Sequence, residues 1–162
     1  MPTDPLRLVL DTNVLLAGLV SKSSASQKIV DSLQARKAIP LLSSAVLAEY
    51  RAILLHPAIC AKFANLTVRR VELALHRLRY VGDVYRNIRV RFELERDPRD
   101  AMFVELAIAG EATHLVTMDA DLLSLPTART DAGKRFRRRL PRLVVQTPQS
   151  FIETWGQAFG LR

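Results

Sequence analysis

Asp11 breaks the apolar run LRLVLDTNVLLAGLV at residues 6–20, and Asp119 closes a second apolar stretch, THLVTMD. An ionised carboxylate in such surroundings is costly unless hydrogen bonds, a cation or a metal compensates it. Two further acids fall at comparable boundaries. Glu49 flanks the helical stripe of Val46, Tyr50 and Ile53, at the edge of a face that should be buried. Asp100 stands in the first turn of a helix opening at Asp97-Pro98, three residues before Phe103, so it can lean inward. No lysine or arginine adjoins Asp11 or Asp119, while Arg51 and Arg99 are available as partners for Glu49 and Asp100. Acids gathered without matching cations must protonate, recruit a divalent ion or keep apart.

No histidine or cysteine stands among the four, and an all-oxygen donor set favours Mg²⁺ or Mn²⁺ over zinc. Such an ion can activate water, hold a phosphate and neutralise charge on a leaving oxygen, and phosphodiester hydrolysis uses all three. Each acid also has a structural reading. Asp11, and either Asp119 or Asp121, suit helix N-caps. Asp97 and Asp100 have the spacing of an N-cap and its N3 residue, and Glu49 could simply face solvent.

The elements that must position these acids alternate between strand and helix. LRLVLD reads as a buried parallel strand, followed at once by a helical pattern. SASQKIVDSLQARKA aligns Ile29, Val30 and Leu33 as a helix, and a short segment at Leu41-Leu42 leads into SSAVLAEYRAILLH, capped at Ser43-Ser44 and ended by Pro57. TVRRVELALHRLRYV forms a helix capped by Thr67, and VYRNIRVRF a short strand. DPRDAMFVELAIAG is a helix stopping at Gly110; THLVTMD and PRLVVQ are strands, and TPQSFIETWGQAF is a last helix. This pattern predicts one α/β domain over residues 1–162, with a mostly parallel central sheet and helices on both faces. Ligands of such sheets bind beyond the carboxyl ends of the strands, where Asp11 and Asp119 fall.

The chain of 162 residues is 49% apolar and 25% charged, a globular composition, and carries a net charge of +8. Arginines crowd the window from Arg69 to Arg99, and GKRFRRRLPR adds Lys134, Arg135, Arg137, Arg138, Arg139 and Arg142. A polyanion is the natural partner for the dense cluster, read as a phosphate-contacting loop; the spaced arginines at 69–79 equally suit a solvated face. No apolar run reaches membrane-spanning length and the N-terminal residues lack a leader pattern, so a soluble, non-exported, cytoplasmic protein is expected. Cys60 stands alone as a small apolar filler.

LDTNVLLAG, AEYRAIL, RDPRDAMFVELA and HLVTMDADLL, in that order and at these distances, resemble the PIN-domain ribonucleases, and most of all the branch of toxins from toxin–antitoxin pairs. The resemblance runs from about residue 6 to residue 159. It implies a PIN-like fold and a Mg²⁺- or Mn²⁺-dependent endoribonuclease acting on RNA, with a cognate antitoxin and a homodimer as possible partners. By resemblance, Asp11, Glu49, Asp100 and Asp119 are the catalytic, metal-binding acids. Asn13 and Thr117, with Thr12, are polar supports, Asp121 is an outer ligand, and Asp97 is chiefly a cap. The sequence departs from the family in a long basic insertion at about 128–141, before the last strand. There Lys134, Arg135, Arg137, Arg138 and Arg139 are expected to form an exposed arm that binds RNA backbone.

Two rival functions remain. A phosphatase-like hydrolase could use Asp11 as nucleophile, although Asn13 stands where a second aspartate would be wanted. A non-catalytic basic module could bind RNA or protein, its acids serving only as caps. His56, His76 and His114 have no metal spacing and read as surface or boundary filler. Neither a phosphate-binding glycine loop nor a nucleophile elbow is present.

Overall fold

In a computed structural model, which describes residues 4–160, the chain builds a five-stranded sheet in the order β3-β2-β1-β4-β5, every pairing parallel. The strands are β1 (Arg7–Leu10), β2 (Ile39–Ser43), β3 (Asp83–Tyr85), β4 (His114–Val116) and β5 (Val144–Gln146). Between β1 and β2 lie α1 (Thr12–Val20) and α2 (Ala25–Gln34). Between β2 and β3 lie α3 (Ser44–Leu54), α4 (Pro57–Lys62) and α5 (Val68–Val81). A 3₁₀ turn (Pro98–Asp100) and α6 (Ala101–Ala109) precede β4; α7 (Ala120–Ser124) and α8 (Asp131–Arg139) precede β5; α9 (Pro148–Trp155) follows it.

The strand order reverses beside β1. The chain first steps outward from β1 through β2 to β3, then crosses back to β4 on the other side of β1. Right-handed crossovers place the connections before and after such a reversal on opposite faces of the sheet. Consecutive residues Leu8, Val9 and Leu10 are each at most 3% exposed, so both faces are covered. This explains why Leu8-Val9-Leu10 is an unbroken apolar run and not an alternating one. Gly18 lets α1 and α2 close on each other, since a Cβ there would lie 2.6 Å from Val30 Cγ2 and 3.0 Å from the Ser26 carbonyl.

The structure departs from the sequence patterning at several boundaries. The helix α3 ends at Leu54, shortly before Pro57 as expected, but Pro57 itself opens a further helix, α4, in whose first turn its missing N–H is no loss, and His56 caps that helix from its side chain. Of VYRNIRVRF only the beginning is strand, in β3, and residues 86–97 run irregularly across the surface. Pro40 lies inside β2, near its start. The largest correction concerns the basic insertion, which is neither loop nor arm. Thr130 caps α8 through Gly133 N at 3.1 Å, and Phe136 is buried, 1% exposed, edge-on to Phe92. The helix sits tightly on the preceding turn, because a Cβ on Gly133 would come within 2.3 Å of the Ala128 carbonyl. A single aromatic among charged residues is enough to anchor this amphipathic face.

Candidate metal centre at the sheet's switch point

The point where strand order reverses lies between β1 and β4, and the acids gather beyond its carboxyl end. Asp11 follows β1 directly, and its backbone N–H still donates to Val116 O of β4 at 3.0 Å. Its side chain is 6% exposed. One carboxylate oxygen accepts from Thr12 N at 2.7 Å, and the other accepts from Thr117 Oγ1, also at 2.7 Å. Burial nevertheless pushes the Asp11 carboxyl above its usual range, against those two hydrogen bonds, with the Asp119 and Asp97 charges adding to the rise. Tyr50, fully buried on α3, donates its hydroxyl to Leu10 O at 2.5 Å and so fixes the backbone just before Asp11. Sequence patterning places Tyr50 only in the helix stripe, because a buried hydroxyl's partner has no pattern in sequence.

Asp119 does not end a strand. It stands three residues past β4 as the N-cap of α7, with one oxygen accepting from Asp121 N at 2.8 Å and Leu122 N at 3.1 Å. Its own N–H donates to Thr117 Oγ1 at 3.0 Å, so the buried Thr117 hydroxyl links Asp119 to Asp11. Asp100 sits at the junction of the 3₁₀ turn and α6 and makes no capping hydrogen bond. Its carboxyl is pushed up to about 7, first by burial and then by the charges of Asp11, Asp97 and Asp119, with Arg99 acting weakly in the other direction. Asp97 therefore belongs to the same electrostatic group, although it also caps the turn through Arg99 N at 3.2 Å. Its DPRD spacing reveals the cap but not the company it keeps.

The other expected residues are placed less closely. Glu49 lies half-buried on α3 and, among the described residues, makes no side-chain hydrogen bond or ion pair. Arg51, expected beside it, instead grips Glu72 with a two-pronged pair at 2.8 and 2.9 Å. Arg99 is 3.8 Å from Asp97, not paired to Asp100. Asp121 is exposed and bonded to Arg96 at 3.1 Å. Asn13 is exposed on the first turn of α1, whereas Thr12 is buried with its hydroxyl oxygen unpartnered among the described residues. His114 is not surface or boundary filler. It is 4% exposed in β4, accepts from the Trp155 indole at 3.1 Å and packs edge-on against Phe151 and Trp155.

The donor set fits a hard divalent cation in chemistry: oxygens only, an unpartnered buried hydroxyl beside Asp11, and two carboxyls held above their ordinary range by burial, with like charges adding to it. As oriented here, no three acidic, histidine or cysteine side chains among the described residues stand close enough to hold one ion. The fit lies in charge and donor type, not in a finished cage. Among the described residues no helix is long and apolar enough to cross a membrane.

Over 148 residues the chain is 29% identical to an uncharacterized protein of Methanocaldococcus jannaschii, covering 91% of this chain and 90% of that one. No solved structure matches. Residues 7–121, from β1 through the end of the acid group, match the PIN domain, and with most of its length so covered the chain belongs to the PIN domain family.

Proposed function

We propose that this protein is a Mg²⁺- or Mn²⁺-dependent endoribonuclease and the toxin component of a toxin–antitoxin pair, acting in the cytoplasm. One observation carries the nuclease reading: at the switch point the Thr117 hydroxyl links Asp11 to Asp119, and Asp100 lies near enough for the charges of Asp11, Asp97 and Asp119 to add to the burial that pushes its carboxyl up to about 7. Asp11, Asp100 and Asp119 would hold the ion, with Glu49 as a further ligand and Asp121 in an outer position. When bound, the cation would offset the acids' repulsion and act as a Lewis acid on a phosphodiester. Thr12 N and the Thr117 hydroxyl keep Asp11 oriented, and Tyr50 holds the strand end from which it projects. Arginines would bind the RNA backbone. The toxin assignment, with a cognate antitoxin and a homodimer, rests on the order and spacing of the four sequence blocks.

Incubating purified protein with labelled single-stranded RNA in EDTA and in Mn²⁺ tests the activity. Cutting that requires Mn²⁺ and vanishes in Asp11→Asn supports the proposal; equal cutting by that variant refutes the site. Growth arrest on induced expression, absent in the same variant, tests the toxin role. The caps made by Asp11, Asp97 and Asp119 favour one other reading, a non-catalytic basic module. Binding of RNA without cleavage in Mn²⁺ would establish it.

A further inference from the structure

Two clefts lie end to end along the seam between α8 and the irregular segment 91–97. The first, about 350 Å³, is lined by Leu94 to Asp97 on one side and by Ala128 to Ala132 on the other, and reaches Asp100. Its carboxylates are Glu95, Asp97, Asp100, Asp121 and Asp131, against the single cation Arg96. The second, about 330 Å³, continues between Arg91-Phe92-Glu93 and the C-terminal half of α8, and there the charge inverts: Arg91, Arg135, Arg138 and Arg139 face one acid, Glu93. A rise of 1.5 Å per residue separates Ala132 from Arg138 by about 9 Å along α8.

The arginines of the insertion are not equivalent. Arg137 donates to Pro126 O at 3.2 Å and Ala128 O at 2.7 Å, so it ties α8 to the preceding turn. Lys134 is exposed and does not line the cleft. Arg135 is anchored to Glu93 O at 3.2 Å, and its Nε is buried without a partner among the described residues. Arg138 and Arg139 are exposed and form no ion pair among the described residues. Two exposed guanidinium groups without an ion pair among the described residues, beside the anchored Arg135, suit an anion with several acceptor oxygens.

We propose that Arg91, Arg135, Arg138 and Arg139 form a phosphate subsite that holds the backbone of single-stranded RNA beside the acid-lined cleft. This deepens the nuclease reading and rests on it for the identity of the strand. The acid cleft alone repels phosphate, so an RNA backbone can approach it only if a neighbouring cation site fixes the strand. Without divalent ions, that fixation falls to the arginines.

The test measures binding of a fluorescent oligoribonucleotide in EDTA across a salt series, with Arg138→Gln/Arg139→Gln compared with Lys134→Gln as control. The double variant should bind about tenfold or more weakly, and its salt slope should flatten by about 0.7 for each phosphate it no longer neutralises. Lys134→Gln should change neither by a comparable amount. A smaller loss of affinity in Mn²⁺ than in EDTA is expected, because the cation then shares the strand. An unchanged slope in the double variant, or an equal effect of Lys134→Gln, overturns the subsite. So does an equal loss of affinity for duplex DNA, the mark of a general polyanion surface. The two readings fail separately: wild type that binds RNA through these arginines yet never cuts in Mn²⁺ removes the nuclease and leaves the subsite. Cutting that survives with an unchanged slope does the reverse.

Discussion

Asp100→Asn should make the metal-free protein more stable at pH 8 and leave it unchanged at low pH. The carboxyl forms no capping bond, so the amide removes a charge without removing a local hydrogen bond. The folded-state value of about 7, against 3.8 without the fold, has a definite sign. Above about pH 4 the unfolded chain releases this proton while the folded chain keeps it, so wild-type stability falls as pH rises, until the folded carboxyl also ionises near 7. At 1.36 kcal/mol per unit the displacement corresponds to about 4 kcal/mol, and solvent screening of a partly exposed group reduces this to about 2 kcal/mol. For a chain of this size that raises the melting temperature by roughly 4–8 °C. Thermal unfolding of both proteins in EDTA from pH 4 to pH 8 gives the difference directly: near zero at the acid end, growing to a plateau past 7. Adding Mn²⁺ should then stabilise wild type more than the variant, since the ion needs Asp100 ionised. A variant no more stable than wild type at pH 8, or a gain of equal size at pH 4, would refute the claim that burial and the neighbouring acids disfavour the Asp100 carboxylate.

Mn²⁺ affinity should rise with pH through about 7, because each ion must displace the Asp100 proton; a titration of melting temperature against Mn²⁺ at pH 6 and pH 8 measures this. Tyr50→Phe removes the buried hydrogen bond to the Leu10 carbonyl and should destabilise by about 0.5–1.5 kcal/mol in urea unfolding, with a further loss of cleavage as Asp11 loosens. Phe136→Ala should cost about 3–5 kcal/mol or free α8 from the surface, detected by urea unfolding and by new proteolytic cuts at residues 131–139. His114 accepts a hydrogen bond from Trp155, and burial lowers its own value to about 4, so it is neutral in the fold. The unfolded chain takes up a proton there first, and stability should fall by up to roughly 3 kcal/mol as pH drops from about 6.5 toward 4. Asp100 acts oppositely over much of that range, so the acid-side slope should show more clearly in Asp100→Asn than in wild type.

What the sequence discloses and what it hides divide along a physical line. Burial writes itself into periodicity: Leu8-Val9-Leu10 and Leu115-Val116 are continuous apolar runs because both sheet faces are covered, and the caps Ser43, Thr67 and Thr147 stand one residue before their helices. Asp11 is conspicuous because a charge inside such a run has few explanations. Asp97 is not, since DPRD serves as a turn wherever it lies, and only the fold brings it within range of Asp11 and Asp100. The basic insertion misleads for a related reason. Seen as composition, GKRFRRR is a charge run; seen as a helix, it is one buried Phe136 with arginines distributed to different tasks.

The same distinction bears on what Asp11 is for. A carboxylate that merely caps α1 needs one oxygen on Thr12 N, and that bond is present. It does not need Thr117 on the other oxygen, nor company that raises its own affinity for a proton. A cap is best served by a carboxylate with a low pKa, since the ionised form is the stronger acceptor at a helix N-terminus. Here burial and neighbouring acids work against the cap they surround. Local sequence–structure agreement is therefore broken at the switch point, and such conflicts collect where function demands them. Asp11→Ser, which can keep a capping oxygen while removing the charge, separates the two roles. If Asp11 is only a cap, the variant should retain wild-type stability and the response to Mn²⁺; if it is a metal ligand, the apo protein should hold its stability while the Mn²⁺-induced rise in melting temperature collapses.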